Sequence, residues 1–401
     1  MLRWCRETPS PTRATAAGAG RSTINSDVRG HGPGAPVGRS RTVANPSLVT
    51  ISHAIERFAL ASDRDAPLAV IAMFQRLSYF HTEAHLYGRI AGNAALTLVG
   101  LVQDAPPALP PGVSHVLLGE GEDLAREWSV TVLSPRAGAT VVARDLESID
   151  GSARTLESGR LFSGWWSFRR SDAFGELVRL RDALAGRLPP AQIRAVDHVL
   201  AQVVAVPGVD TDERTDAVID LLVAEVSALR RQGDHIANRL DEVAGVSDER
   251  DPRTGLPNSA FLHRWTSRSA SGTLPVGLVL LRVHDLALAN DRHGFRAELA
   301  LLQAVARVLR ARLTRSDRAV RLGREEFLLV LPGSSRARLV AVAEQARADV
   351  GLLARAYPFI PAAAAVAVMS TRSRPLPVPT LWKALDDAVR AGLPTVLLPG
   401  S

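Results

Sequence analysis

The sequence predicts an α/β (α+β) protein of two domains joined by one long helix. Three observations carry that reading. The 401 residues, with 46% hydrophobic and 22% charged side chains, suffice for two buried cores. Short β-type runs alternate with segments of helical spacing. Between the halves, apolar residues recur at intervals of three and four without a break.

Residues 1–46 are rich in Gly, Ser, Thr, Ala, Pro and Arg and hold almost no aliphatic run. They cannot offset the entropy of folding, so a disordered tail is expected. Residues 1–45 carry seven arginines against Glu7 and Asp27, which places most of the net charge of +7 there. A basic face on the folded part, and with it a nucleic-acid partner, is not expected. The tail lacks the apolar run of a signal peptide, and no later stretch approaches the ~18 apolar residues that cross a bilayer. A cytoplasmic protein without a membrane partner is the expectation. Cys5 is the only cysteine, so one chain can build neither a disulfide nor a thiolate metal site.

Residues 47–187 read as a mixed α/β domain. Helical spacing covers Ser47–Ala61, the segment around Leu68–Arg89, and Asp172–Leu184. Short β-type runs occupy Leu96–Val102, His115–Leu118, Ser129–Leu133, Thr140–Ala143 and Gly164–Phe168. Trp128, Trp165 and Trp166 either line a ligand pocket or fill the core, and Trp is most often core. Among His53, His81, His85 and His115 only the i,i+4 pair His81 and His85 has a metal-ligand spacing, and surface or satisfied histidines are the simpler reading.

Residues 188–209 form a connector: Pro189-Pro190 break the chain, a helix covers Ala191–Val204, and Pro207-Gly208 break it again. Residues 210–247 form the long helix, starting at acidic residues from Asp210 to Glu213 that suit the helix dipole. Ile219, Leu222, Val226, Leu229, Gly233, Ile236, Leu240 and Val243 make a heptad seam. A helix packing only on its own domain drifts toward a 3.6 period, so the strict repeat favours a parallel coiled coil and a homodimer. Gly233 leaves a gap in the seam and lowers helix propensity by roughly 1 kcal/mol.

Residues 248–401 open with Asp251-Pro252-Arg253-Thr254-Gly255-Leu256-Pro257-Asn258, continue through the buried strand Val276–Val283 and Asn290-Asp291-x-x-Gly294, and reach Gly323-Arg324-Glu325-Glu326-Phe327 after a helix over Ala297–Leu313. These four ordered motifs resemble the GGDEF domains, the diguanylate cyclases of bacterial c-di-GMP signalling. The resemblance implies a palm-like antiparallel sheet flanked by helices. In the first domain, Ser52-His53-Ala54-Ile55-Glu56, Phe74-Gln75, Tyr87, Glu127-Trp128 and Phe162-Ser163-Gly164-Trp165-Trp166-Ser167-Phe168 resemble the DICT sensory domain.

The GGDEF resemblance implies that two GTP are joined with Mg²⁺ held by a first-strand Asp and by the third residue of the turn. Such phosphoryl transfer relies on positioning and on neutralising charge. Carried over position by position, Glu325 and Glu326 keep the acids of the turn, Asn290 keeps the guanine reader, and Asn258 is a further nucleotide contact. The first-strand Asp falls at Arg282 and the second acid of that strand at His284, with Asp285 facing the other way. The guanine-reading Asp falls at Leu299, a lysine at Ala287 and a phosphate-binding lysine at Val389. Arg253 replaces a leucine, and Arg324 replaces the second glycine. The resemblance also implies a c-di-GMP feedback site, of which Asp317 and the displaced Arg315 remain.

Two unit charges ~4 Å apart interact by about 4 kcal/mol at an effective dielectric near 20, and a dication facing Arg282 is repelled by roughly twice that. Arg282 is therefore expected to pair with Glu325 in place of a metal. Gly323-Arg324 suits a two-residue type II′ hairpin with the glycine at positive φ. The expected function is a sensor coupled to a catalytically inactive GGDEF domain that needs no cofactor and binds GTP, c-di-GMP or a protein partner. The alternatives are a working Mg²⁺-dependent diguanylate cyclase and a purely structural dimerisation protein.

Overall fold

The computed structural model describes residues 40–62, 66–102, 107–207, 213–243, 249–266, 274–284, 286–356 and 363–400. The tail up to residue 39, Cys5, Asp285 and the acidic start at 210–212 lie outside the described residues.

The first domain runs β1 (Arg41–Ala44), α1 (Asn45–Leu60), β2 (Ala69–Arg76), α2 (Leu77–Ala91), β3 (Leu96–Val102), β4 (Val113–Leu118), β5 (Glu127–Leu133), β6 (Gly138–Ile149), β7 (Arg160–Ser167) and α3 (Arg170–Leu184). Its seven-stranded sheet has the order β1-β7-β6-β5-β2-β3-β4. Only β2–β3 and β3–β4 pair in parallel. One face is covered by α1 and α2, the other by α3 and the connector helix α4 (Pro190–Ala205).

Two expectations are corrected here. Arg41–Ala44, assigned to the tail, pair with β7 and start the domain. The segment from Leu68 is a strand before it is a helix, because Ala69–Phe74 is a continuous apolar run at the centre of the sheet, buried on both faces. A short run of that kind has no period that separates strand from helix. Trp165 and Trp166 are buried and Trp128 packs against the same core, so the tryptophans fill the domain.

The long helix α5 (Glu213–Val243) is continuous. Ile219, with Val223 outside the heptad, packs against the first domain's core, whereas Leu222, Leu229, Ile236 and Leu240 are exposed. A Cβ at Gly233 would meet nothing.

The second domain runs α6 (Ser259–Thr266), β8 (Val276–Val283), α7 (Leu286–His293), α8 (Phe295–Ala311), β9 (Arg318–Arg321), β10 (Glu326–Pro332), α9 (Arg336–Ala356), β11 (Ala364–Thr371), α10 (Val378–Arg390) and β12 (Thr395–Leu397). The sheet order is β12-β11-β8-β10-β9, antiparallel except for the edge pair β11–β12. The expected antiparallel palm is thus a mixed sheet. Strand alternation sends Val279, Leu281 and Val283 to the face under α7, α8 and α9, and Leu278 and Leu280 to the face under α6 and α10.

That second face is shared between the domains. Ile149 and Leu156, from the end of β6 and the loop after it, are buried in the same cluster as Trp265 and Leu385. Burying such side chains is worth ~1.5–3 kcal/mol each before ordering costs. The backbone joins in: Leu156 N–H donates to Trp265 O at 2.8 Å, and Arg264 Nη1 donates to Arg154 O at 2.8 Å. Among the described residues no helix is long and apolar enough to cross a membrane.

Candidate functional site

The turn between β9 and β10 is a three-residue loop, Gly323–Glu325, closed by Leu322 N–H donating to Glu326 O at 3.0 Å. The expected two-residue type II′ turn does not form, and Gly323 stays out of the left-handed region. A Cβ at position 323 would overlap Glu326 Oε2, because that carboxylate folds back under the loop.

Arg282 sits directly opposite Glu326 in the β8–β10 register. Its Nε donates to Glu326 Oε1 at 3.0 Å and its Nη1 to Asp386 Oδ1 of α10 at 2.7 Å. The expected pair with Glu325 is therefore corrected to Glu326 and Asp386. The reason is alternation: Arg282 and Glu326 share the face that carries Leu280 and Leu328, whereas Glu325 is one residue out of phase. Burial opposes the guanidinium's charge, but the hydrogen bond to Asp386 and the field of Glu326 outweigh it and raise the Arg282 pKa. Glu326 Oε2 accepts the Glu325 N–H at 3.3 Å, so both of its oxygens are engaged. Glu325 is half-buried, and its carbonyl accepts Val283 N–H at 3.0 Å.

These residues do not fit Mg²⁺. A permanent cation stands where a ligand is needed, and the neighbouring carboxylates neutralise it. Among the described residues, no group of three metal-ligating side chains gathers at the turn. His284 is half-buried, and its backbone N–H donates to Ala363 O at 2.8 Å.

Two arginines at departures from the family motif meet at a residue the sequence reading passed over. Glu298, in the first turn of α8, is 1% exposed. Its Oε1 lies 3.2 Å from Arg253 Nη1 and 3.6 Å from Arg324 Nε. Arg253 also lies over the Phe295 ring, 5.2 Å from its centroid. Arg321 is a second hub beneath the loop. Its Nε and Nη2 donate to Gly323 O and Arg324 O at 3.0 and 3.1 Å, and its Nη1 donates to both oxygens of Asp251. Burial opposes the charge of Asp251, but hydrogen bonds from Thr254 and Arg321 hold its carboxyl below the usual range. An acid in the first turn of a long amphipathic helix, as Glu298 is, marks a dipole partner from sequence alone, but its burial does not show there.

The remaining expected positions divide. Asn290 is half-buried in α7, Leu299 is half-buried on α8, and position 287 falls within α7. Asn258 Oδ1 accepts Ala260 and Phe261 N–H at 2.9 and 3.1 Å, which makes it the cap of α6. Val389 packs into the apolar cluster under α10. Asp317 is buried, and its Oδ2 accepts Thr314 N–H at 2.8 Å and Arg338 Nη2 at 2.5 Å. Arg315 is exposed, and Gly151 of the first domain presses so close to its carbonyl that a Cβ at 151 would overlap it. A cleft of about 450 Å³ opens beside them between the domains, with Arg154, Arg250, Arg264, Arg310 and Arg318 in its lining against Glu249 and Asp317.

Residues 30–146 match the family model described as the sensory domain in diguanylate cyclases and two-component systems, DICT, and residues 249–361 match that of the diguanylate cyclase GGDEF domain. Diguanylate cyclase DgcP of Pseudomonas aeruginosa is 39% identical over 89 residues, 21% of this chain and 13% of that protein. The match thus spans a small part of that relative. The crystal structure of the diguanylate cyclase SiaD with its activator SiaC from Pseudomonas aeruginosa is 25% identical, covering 57% of this chain and 87% of that one with a TM-score of 0.34. The GGDEF domain of DgcB from Caulobacter crescentus, in complex with c-di-GMP, is 18% identical over 38% of this chain and 96% of that one, with a TM-score of 0.32.

Proposed function

We propose that the sensory domain matched at residues 30–146 controls the GGDEF domain matched at residues 249–361, and that this GGDEF domain binds rather than catalyses. One observation carries the reading. Arg282 is held between Glu326 and Asp386 at the position where the GGDEF resemblance puts a metal-binding Asp. A guanidinium does not lose its proton in a protein, so Arg282 keeps its charge and stays paired to these carboxylates at every working pH. Arg324 and Arg253 add an ion-paired rim where phosphates would approach a bare backbone.

Support for binding comes from the arginine-lined cleft beside the feedback-site remnants, which suits a phosphate-bearing nucleotide such as GTP or c-di-GMP. Contact of the first domain's Gly151–Leu156 segment with Arg264, Trp265 and Arg315 of the second domain gives the sensor a direct route to that cleft. The exposed apolar row on α5, from Leu222 to Leu240, supports a homodimer through a coiled coil. A protein partner is the other occupant of such an output domain.

The test uses the purified full chain, with its mass in solution measured. Incubation with GTP and Mg²⁺ is expected to yield no c-di-GMP above the blank by chromatography, while calorimetry gives heat with GTP, GDP or c-di-GMP. Turnover overturns the proposal in favour of a working cyclase, a reading favoured by Glu325 and Asn290. Absence of heat from all three nucleotides moves the output to protein binding or to dimerisation alone.

A further inference from the structure

The first domain gathers three ligand-bearing side chains outside the GGDEF site. His53 and Glu56 stand one turn apart on α1, and Glu83 faces them from α2. One donor atom from each lies within 4.8 Å of the others. His53 Nε2 is 3.1 Å from Glu83 Oε1, close to the ~3.3 Å edge of a tetrahedron with metal–ligand bonds of about 2.0–2.1 Å.

Glu56 supplies a second, independent observation. Its side chain is fully buried, and its two oxygens are treated differently. Oε1 accepts Tyr87 O–H at 3.1 Å and Ser52 O–H at 3.3 Å. Oε2 is buried without a hydrogen-bond partner. A buried carboxylate oxygen left unpaired is destabilising, because it has given up water for nothing. Burial does raise the Glu56 pKa, and the neighbouring His53 opposes the rise.

We propose that His53, Glu56 and Glu83 bind a divalent transition-metal ion of the zinc class between α1 and α2. Two carboxylates balance the ion's charge, and an imidazole nitrogen in the set disfavours Mg²⁺ and Ca²⁺, which take oxygen ligands. Tyr87 and Ser52 hold Oε1, which leaves Oε2 as the unengaged oxygen of the carboxylate. His53 and Glu83 are partly exposed, which gives the ion a way in and water a place to complete its coordination. An ion there would brace α1 against α2. The first turn of α1 in turn holds α5, through Ser47 Oγ at 2.6 Å from Ser227 Oγ and Arg230 Nη1 donating to Pro46 O at 2.7 Å. Metal occupancy is therefore an input that can reach the long helix.

The test uses the EDTA-stripped full chain, titrated with ZnCl₂ by calorimetry and with Co²⁺ by visible absorption. About one ion per chain is expected, together with the absorption of a low-symmetry nitrogen and oxygen site. His53→Ala and Glu83→Gln, at partly exposed positions where folding is readily confirmed by circular dichroism, are expected to weaken zinc at least about tenfold. Glu56→Gln should do the same, whereas changing both His81 and His85 to Ala should leave the affinity as it was. Failure to bind zinc, or unchanged affinity in folded His53→Ala and Glu83→Gln, overturns the proposal. Neither result depends on whether the GGDEF domain binds or turns over nucleotide.

Discussion

Glu298 beneath the turn and Glu56 in the first domain are both shut off from water, at 1% and 0% exposure, yet they are neutralised by different means. Glu298 has two arginines of its own chain on one oxygen. Glu56 has two neutral hydroxyls on one oxygen and nothing on the other. A carboxylate with a built-in cation needs none from outside, and its neighbourhood is closed to metal. A carboxylate oriented by neutral donors and left with a bare oxygen is open to one. The same contrast separates Arg282–Glu326, where the cation is covalently part of the fold, from the His53–Glu83 pair.

The largest effect is expected from removing the most buried cation at the turn. Arg321 is 7% exposed and braces both Asp251 and the two loop carbonyls. Arg321→Ala is expected to destabilise the protein by ~3–5 kcal/mol in urea denaturation, because it leaves a partly buried carboxylate without its cation and two loop carbonyls without their donor. The pH dependence has a definite sign. The Asp251 pKa is lowered on folding, so its contribution is present above the ordinary value of 3.8 and is lost as pH falls through the lower folded value. The gap between wild type and variant should therefore be full at neutral pH and narrow only in that acid range. A loss below about 1 kcal/mol, the scale of a surface ion pair, would mean that the turn is not held by its built-in cations.

The other side of the comparison is sharpened at Tyr87, whose hydroxyl turns Glu56 so that Oε2 is left bare. Tyr87→Phe keeps the ring packed against Phe74 and Phe80 while deleting that one donor. Zinc affinity is expected to fall by about 10- to 100-fold, the usual effect of losing an outer-sphere partner. Calorimetry gives the affinity, and an unchanged value would separate the orientation of Glu56 from metal binding.

How far each region could be read from sequence follows from how local its determinants are. β8 and the order of motifs from Asp251 to Phe327 were legible because a buried strand and a turn are written in consecutive residues. Arg282 was located at the right position yet given the wrong partner, since Glu325 and Glu326 differ by one residue and therefore by a face of the sheet. Asp386 came from a helix distant in sequence, which no spacing announces. The His53 site was missed for a related reason. His81 and His85 have the spacing of a ligand pair but stand exposed on α2, while the clustered groups are i,i+3 on α1 and completed by Glu83 from another helix. Ser52, Glu56 and Tyr87, scattered members of the DICT-like pattern, meet only when α1 and α2 cover the same sheet.

The smallest effect is expected at Arg324, the residue that breaks the glycine pair of the turn. It is 53% exposed and stands 3.6 Å from Glu298, while Arg253 is nearer at 3.2 Å. Arg324→Gly should therefore cost ~0.2–1 kcal/mol in urea denaturation, the range of exposed pairs. Restoring the glycine should give no cyclase activity either, because Arg282 still stands between Glu326 and Asp386. The single change looks innocuous only while Arg253 remains. Adding Arg253→Ala leaves Glu298 buried and without its cations, so the double variant should lose more than the sum of the two single losses, with a coupling of ~0.5–3 kcal/mol. Additive losses would show that Glu298 is not held jointly, and that the arginine rim is two separate surface substitutions. Coupled losses would mean that Arg324 belongs to the charge balance of the domain and that the turn cannot revert to two glycines without weakening its own core.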